Sequence, residues 1–310
     1  MRGITLLGPQ RLTPSLGAAV RALGSEGPIA TVTAGWRERE GEDGELNEIL
    51  DGRGRNLALY RRWSEILDVD PEYAAAERVL RDELEELQAL YEVRLDHAMR
   101  GIDAVQRSTA PREVKDPAVD DAIEELRRLD EWHLRIVAEA RERFDERWSP
   151  GARDAVRQHR DEVATQLREC GALAIAGGHV AVLLQCLRLL AVTRPAALPQ
   201  FIIAWSAGAM ALTDRVVLFH DFTPQGSTGV EVYDFGLGVV SDVVPLPHAR
   251  RRLRLRDTAR TAVLARRFAP AHCVVLDDGV RLDLGPTGAL PPSARVLTND
   301  GEVRPLGEAA

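Results

Sequence analysis

Ser206 is the residue whose type and surroundings most favour covalent chemistry in this chain. The mostly apolar residues 201–205 (FIIAW) lead into it, and the small residues 207–209 (AGA) follow. This pattern predicts a buried strand that turns sharply into a helix, which is the nucleophile-elbow geometry that lifts a hydroxyl clear of a sheet. In that geometry the Ala207 amide can donate to a developing oxyanion. The alternative is that a Ser-Ala-Gly turn after a strand is ordinary packing.

A serine hydroxyl is a weak nucleophile until a base takes its proton, and seven histidines are available for that role. Three lie in a charged helical segment, where packing or surface roles are favoured: His97, His133 and His159. Those near turns and strand ends are His179, His220, His248 and His272. His248 follows a glycine-rich stretch and a Pro-Leu-Pro turn, which predicts a position near the carboxyl edge of a sheet, where open α/β sheets bind ligands. Composition alone leaves His248, His220 and His179 open.

The first seventy residues predict the beginning of an α/β fold. Residues 4–8 and 28–33 have the composition of buried strands, residues 14–23 suit a helix, and residues 57–60 are predicted to form a third strand. Strand, helix and strand at this spacing predict βαβ units and a parallel sheet covered on both faces.

Between residues 71 and 168 the chain is charged, poor in glycine and helical in pattern. One apolar stripe runs from Leu80 to Val105 and a second from Val119 to Phe144, with a break at residues 108–111. Such stripes predict two long amphipathic helices packed as an antiparallel hairpin, followed by a third helix over residues 152–168. We expect their charges to form solvated faces, and a homodimer through this insertion is the alternative.

The last part of the chain returns to strand-like segments. Residues 171–176 lead to Gly177-Gly178, and paired glycines before a helix let backbone amides face a ligand. Residues 236–240 predict a glycine-rich strand, and the turns at Asp278-Gly279 and at residues 299–301 predict β-hairpins. The full pattern predicts an α/β protein: a three-layer αβα sandwich with a mainly parallel sheet, a long helical insertion and a C-terminal β extension. Its segments would be residues 1–70, 71–168 and 169–310.

Composition limits the classes of function. The 310 residues carry a formal net charge of −8, which argues against a nucleic-acid partner. Cys170, Cys186 and Cys273 form no CxxC pair, so we expect buried thiols rather than a zinc site or a disulfide framework. No run of about eighteen apolar residues and no signal-peptide pattern occur, so we expect a cytoplasmic protein with no membrane partner, cofactor or metal.

Four stretches resemble the serine peptidases that include cyanophycinase and aspartyl dipeptidase (dipeptidase E), whose fold is similar to that of class I glutamine amidotransferases. Residues 203–209 resemble the family's Gly-x-Ser-Ala-Gly motif, and residues 176–179 resemble its Gly-Gly turn. Gly236-Leu237-Gly238 followed by His248 is similar to its Gly-Leu-Gly strand before the catalytic histidine. Residues 274–279 resemble the Ile-Asp-Glu-Gly stretch that carries its acid. The resemblance spans roughly residues 171–306 and the first strands, and leaves the insertion uncovered.

The resemblance implies a catalytic triad. Ser206 would be the nucleophile, His248 the general base, and Asp278 the acid that orients the imidazole, as an aspartate where the family usually has glutamate. These roles agree with the requirement that the base have a third group to fix its tautomer. Asp277 and Asp221 are the alternative acids.

The same resemblance suggests how a small peptide or amide substrate would be held. Amides near Gly178 and Ala207 could hold the developing oxyanion, and His179 stands in the glycine turn where the family has an Asn or Asp. Arg252 and Arg254 match an Arg-x-Arg spacing that follows the family's histidine, and a guanidinium fork there would clamp a substrate carboxylate. The alternative for this arginine run is a solvated helix start.

Departures from the family pattern motivate a second function. Ala204 stands where the elbow has glycine, Trp205 is bulkier than usual, and Leu246-Pro247 precede His248 where cyanophycinases have polar residues. The alternative is therefore a catalytically degenerate relative that binds a ligand or protein through its helical insertion. Glutaminase chemistry of the amidotransferase type uses a cysteine at the elbow, so the serine at 206 makes it the weakest of the three readings.

Overall fold

A computed structural model describes residues 3–24, 27–194, 196, 198–220, 229–285 and 287–309. The strands in these ranges are β1 (Gly3–Leu7), β2 (Ile29–Val32), β3 (Gly54–Asn56), β4 (Ala172–Ile175), β5 (Phe201–Trp205), β6 (Arg215–Phe219), β7 (Val230–Phe235), β8 (Val243–Pro247), β9 (His272–Leu276), β10 (Arg281–Asp283), β11 (Arg295–Leu297) and β12 (Val303–Pro305). The α-helices are α1 (Leu16–Ala22), α2 (Gly44–Ile49), α3 (Leu59–Val69), α4 (Pro71–Gln106), α5 (Arg112–Trp148), α6 (Asp154–Arg168), α7 (Val180–Leu189), α8 (Ala207–Leu212), α9 (Ala249–Arg252) and α10 (Thr258–Phe268).

The central sheet has six strands in the order β10-β1-β5-β4-β2-β3. All neighbours pair in parallel except β10, which runs antiparallel to β1. Successive side chains of a strand point to opposite faces, and both faces of this sheet are covered. Ile202 and Ala204 belong to one apolar cluster with residues of α6 and α7, whereas Ile203 and Trp205 belong to another with residues of α1 and α2. The predicted three-layer αβα arrangement with a mainly parallel sheet is confirmed.

A smaller sheet and the helical hairpin complete the fold. The second sheet has the order β12-β11-β9-β8, in which β8 and β9 are parallel, and β6 and β7 form a separate antiparallel ribbon. The long helices α4 and α5 pack along each other, as predicted from the apolar stripes. Many of their buried residues, from Tyr91 to Ile102 and from Val119 to Leu134, share one apolar cluster with β6, β7, β8, β9 and α10. The hairpin therefore lies over the part of the molecule formed by the last third of the chain.

The prediction of a strand at residues 57–60 was wrong. The third strand lies earlier, at Gly54–Asn56, and α3 begins at Leu59. The buried carboxylate of Glu40 accepts hydrogen bonds from the amides of Tyr60 and Arg61, both at 3.0 Å. Because first-turn amides have no partner within their own helix, this acceptor from another segment favours a helix start over an apolar strand.

The predicted Asp278-Gly279 hairpin was also wrong. Strand β9 pairs with β8 and β11, whereas β10 crosses to the central sheet and pairs with β1. The Gly8 amide, just after β1, donates to the Val280 carbonyl at 2.9 Å. The turn therefore joins two sheets. The hairpin predicted around residues 299–301 is confirmed, because β11 and β12 pair antiparallel.

The predicted strand at residues 236–240 is a turn, apart from an isolated bridge between Val240 and Thr213. A β-carbon on Gly236 would lie 1.8 Å from the Thr213 carbonyl oxygen, so this glycine lets two backbone segments pass closely. The strand that leads to His248 is β8, which contains Pro245 and Pro247. Proline is tolerated there because β8 is an edge strand.

Two predictions from composition can be compared directly with the fold. The three cysteine thiols are buried and unpaired, as expected. Among the helices in the described ranges, none combines the length and apolarity needed to cross a bilayer.

Candidate active site

Ser206 stands at a strained turn between β5 and α8. Its backbone angles are φ 50° and ψ −122°, a region that residues with a β-carbon rarely adopt. Small neighbours make the turn feasible, since a β-carbon on Gly208 would lie 2.4 Å from the Ile175 carbonyl oxygen. Backbone strain of this kind concentrates at functional sites. The structure therefore gives Ser206 the conformation predicted for a nucleophile elbow.

The glycine turn after β4 packs directly against this serine. A β-carbon on Gly177 would lie 2.8 Å from the Ser206 β-carbon and 3.5 Å from the Ala207 amide nitrogen. Gly178 has φ +123°, which favours glycine, and the His179 amide donates to the Gly35 carbonyl at 2.7 Å. The segment after β2 thus fixes the glycine turn from behind. It brings the two predicted oxyanion residues, Gly178 and Ala207, to the same edge of the sheet.

Gly8 connects Ser206 to the acidic turn that Asp277 and Asp278 form after β9. Leu7 of β1 is paired with Trp205 of β5, so Gly8 lies beside Ser206 at the end of neighbouring strands, which are about 4.8 Å apart. A β-carbon on Gly8 would lie 1.8 Å from the Asp277 carbonyl oxygen. The acidic turn therefore lies one strand away from Ser206. Sequence reasoning missed Gly8, although a Gly-Pro pair that closes a buried strand was visible.

His248 adjoins the same turn from the other sheet. The register of β8 with β9 pairs Pro247 with Leu276, so His248 and Asp277 are the next residues on neighbouring parallel strands. His248 has φ 58° and ψ 31°, in the left-handed region. Its pKa lies below the ordinary value of 6.5, because burial and the positive charge of Arg252 outweigh the opposing effect of Asp278. A neutral imidazole near pH 7 has the protonation state of a general base.

Both aspartates after β9 form ion pairs with arginines of α9, and Asp277 does so with Arg250 at 3.3 Å. Asp277 accepts a hydrogen bond from the Arg250 amide at 3.1 Å, which ties the start of α9 to the turn. Asp278 forms an ion pair through Oδ2 with Arg251 at 3.3 Å. Asp278 Oδ1 and Asp277 Oδ2 are both buried and have no hydrogen-bond partner among the described residues. Asp278 affects the pKa of His248 more strongly than Asp277 does, whereas the β8–β9 register places Asp277 beside His248, so both aspartates stay candidates for its acidic partner.

The structure brings the predicted residues together in two groups. Ser206 lies with the glycine turn, and His248 lies with the acidic turn. Both groups are at the carboxyl ends of parallel strands, and Gly8 contacts the acidic turn from the strand beside Ser206. Within the described part of the chain, no hydrogen bond joins Ser206 to His248. Catalytic hydrogen bonds are often long before substrate binds.

The remaining predicted residues surround these groups. His179 is exposed, caps α7 by accepting from the Val182 amide at 3.4 Å, and lines a cleft beside the glycine turn. Arg252 is the last residue of α9 and acts electrostatically on His248, and the exposed Arg254 lies just beyond it. Asp221 lies outside the described residues. Within those residues, no three His, Cys, Asp or Glu side chains are grouped to hold a metal ion.

Buried ionic contacts fix the helical hairpin to the α/β body. Arg267 of α10 is fully buried and binds the Asp130 carboxylate of α5 with two hydrogen bonds of 2.7 and 2.6 Å. The Tyr91 hydroxyl of α4 donates to the same carboxylate at 2.7 Å. Asp234 of β7 pairs with Arg141 of α5 at 2.6 Å. These contacts join both long helices to the ribbon and to α10.

No family model matches the chain, and no curated protein matches it. Its structure is similar to that of a peptidase from an acI-B1 Actinobacterium, with 12% sequence identity, a TM-score of 0.38, and coverage of 96% of this chain and 87% of that chain. A likeness of this size carries no argument about activity.

Proposed function

We propose that this protein is a serine hydrolase of peptidase type that cleaves a peptide or isopeptide amide through an acyl-enzyme on Ser206. The observation that carries the proposal is the strained backbone of Ser206 at the end of β5. It is supported by the glycine turn against the serine and by the His248–Asp278 pair on the same edge. The resemblance to cyanophycinase and dipeptidase E motifs adds the order of the three residues along the chain.

The proposed reaction has two halves, formation of the acyl-enzyme and its hydrolysis, and each catalytic group acts in both. Ser206 Oγ attacks the carbonyl carbon while its proton passes to His248, and the amides of Gly178 and Ala207 stabilise the oxyanion. The C–N bond then breaks, and His248 returns the proton to the leaving amine. Water, deprotonated by His248, attacks the ester and releases the acid, which restores the Ser206 hydroxyl. Asp278 holds the imidazole in the required tautomer.

Labelling with a fluorophosphonate probe tests this proposal without knowledge of the substrate. We expect the purified protein to be labelled, and labelling to be lost in both Ser206→Ala and His248→Ala. His272→Ala is a matched control, because this histidine is exposed at the opposite end of β9. Labelling that persists in Ser206→Ala would exclude Ser206 as the nucleophile.

A catalytically degenerate binding protein is the second candidate. It is favoured by the missing Ser206–His248 hydrogen bond among the described residues and by the ion pair of Asp278 with Arg251. Absence of labelling in a well-folded wild-type protein would support it. The homodimer through the insertion and the cytoplasmic location stay predictions.

A further inference from the structure

The outer face of α4 carries large apolar side chains that are exposed to solvent. Val79, Leu90 and Val93 are 68%, 61% and 59% exposed, respectively. At about 100° per residue, these three side chains lie within about 60° of one another around the helix. The same face continues through smaller exposed residues, namely Ala75, Ala89 and Ala104. Single exposed apolar residues are common, whereas several on one face of a helix are typical of a surface that a partner covers.

The outer face of α5, the other long helix of the hairpin, is different. From residue 121 onward, the exposed residues at helical spacing on this face are all charged, and they include Arg128, Glu131, Arg135, Glu139, Glu142 and Glu146. The two helices have similar lengths, 36 and 37 residues, and pack along each other. The apolar residues are therefore a property of α4 and not of the hairpin as a whole.

The charges on the outer face of α4 change sign along the helix. Asp82 and Glu86 precede Leu90, and neither forms an ion pair with another described residue. His97 and Arg100 follow Val93 on the same face. Arg100 uses Nη2 for its contacts within the helix, with Asp96 at 2.6 Å and His97 at 3.4 Å, which leaves Nε and Nη1 to bind another carboxylate. One face thus presents an acidic end and a basic end.

A second copy of α4 that lies antiparallel across this face matches it in charge. Asp82 lies nine residues before position 91 and Arg100 nine residues after it, so a two-fold axis beside Tyr91 brings Asp82 opposite Arg100 of the second copy. Eighteen residues make about five full turns, so both side chains also point in the same direction from the helix. Glu86 and His97 lie five residues before and six residues after the same position, and the axis brings them together as well.

The apolar residues follow the same symmetry. Leu90 and Val93 lie on either side of position 91, so each faces the other across the axis, and Val79 faces Ala104. A parallel second copy would instead place Asp82 against Asp82 and Arg100 against Arg100, which is unfavourable. Since the acidic and basic halves of the match belong to one face, the partner that fits it is another copy of this chain.

We infer that the protein forms a symmetric dimer through the outer face of α4, with the two copies of this helix antiparallel. The contact between Val79 and Ala104 would extend over about 38 Å. Symmetry repeats the contact of Asp82 with Arg100 at both ends, about 27 Å apart. The inference does not depend on the proposed hydrolase function, because none of these residues belongs to the elbow, the glycine turn or the acidic turn.

Sedimentation velocity of the full chain, at about 1 to 100 µM, tests for the dimer. We expect the mass to rise with concentration from that of one chain toward that of two. Leu90→Glu places two carboxylates beside the axis and should raise the dissociation constant at least about tenfold. A wild-type chain that stays monomeric over this range, or a dimer that Leu90→Glu does not weaken, would overturn the inference.

Charge exchange tests the antiparallel orientation. Asp82→Arg and Arg100→Asp each place like charges opposite each other twice, so each should weaken the dimer by about tenfold. The double variant restores opposite charges and should recover most of the affinity. In a parallel pair each residue would meet its own counterpart, so the single changes would leave the affinity unchanged. That result would overturn the proposed arrangement.

Glu142→Arg is the matched control, because it reverses an exposed charge on the outer face of α5. It should leave the dissociation constant of the dimer unchanged. Weakening by Glu142→Arg equal to that by Asp82→Arg would mean that association follows total charge, and it would overturn the assignment to α4. Circular dichroism checks that each variant is folded, and exposed substitutions of this kind rarely alter stability.

Discussion

Replacing Ser206 by glycine should give a more stable protein than replacing it by alanine, and both changes remove the hydroxyl of the candidate nucleophile. The backbone of Ser206, at φ 50° and ψ −122°, is strained for any residue that has a β-carbon. Holding such a conformation costs on the order of 1–3 kcal/mol. Alanine keeps the β-carbon and the strain, whereas glycine removes both. Glycine also gains unfolded-state entropy worth about 0.5–1 kcal/mol, which opposes the effect. The free energy of unfolding of Ser206→Gly should therefore exceed that of Ser206→Ala by roughly 0.5–2 kcal/mol.

Urea unfolding followed by circular dichroism measures this difference, with equal m-values as the condition for comparing midpoints. Arg37 offers a matched control, because its backbone is nearly the same, at φ 58° and ψ −124°. Its side chain is half exposed, and its ion pair with Glu38 at 3.8 Å is a surface contact of little energy. Arg37→Gly should exceed Arg37→Ala by a similar amount. If the glycine variant gains stability at position 37 but loses it at position 206, the reasoning about the elbow is refuted.

Three further predictions concern the base, the glycine turn and the hairpin. Burial and a nearby arginine lower the pKa of His248 below 6.5, and a general base must be neutral. The rate of fluorophosphonate labelling should therefore fall as the pH is lowered, with a midpoint below 6.5. A midpoint above 6.5 would contradict the assignment of His248 as the base. Gly177→Ala places a methyl group 2.8 Å from the Ser206 β-carbon and should slow labelling at least about tenfold. The control is Gly101→Ala in α4, where a β-carbon would have no neighbour within 4 Å. This variant should label normally and gain up to about 1 kcal/mol in its free energy of unfolding. Equal labelling of the Gly177→Ala and Gly101→Ala variants would argue against tight packing at the elbow. Asp130→Asn leaves the buried Arg267 charge without its counterion. The free energy of unfolding, measured by urea titration, should fall by about 3–5 kcal/mol. A loss below about 1 kcal/mol would mean that this contact does not hold the hairpin in place.

Local patterns in the sequence predicted much of the fold. The apolar run before Ser206 predicted β5, and the small residues after it predicted the sharp turn that the structure has. The stripes from Leu80 and Val119 predicted two long helices because one face of each is buried. These features depend on the spacing of neighbouring residues, which the sequence contains directly.

Pairing between distant segments was decided only by the tertiary structure. The turn at Asp278-Gly279 has the composition of a hairpin, yet β10 pairs antiparallel with β1 at the edge of the central sheet. That crossover brings the Asp278 turn to Gly8 and so to the edge that carries Ser206. Likewise, β8 contains two prolines and was not predicted. Proline lacks an N–H group, and this is tolerated because β8 is an edge strand of its sheet.

The helical hairpin shows the same difference between what local patterns predict and what contacts between distant residues decide. The sequence by itself determined that residues 71–168 form amphipathic helices, because periodicity is a local property. It did not determine where they would pack, since the buried contacts of Asp130 with Arg267 and of Arg141 with Asp234 join residues more than ninety positions apart. The cleft that Glu77 and His179 line lies between this hairpin and α7. Its position beside the glycine turn is therefore a property of the tertiary structure.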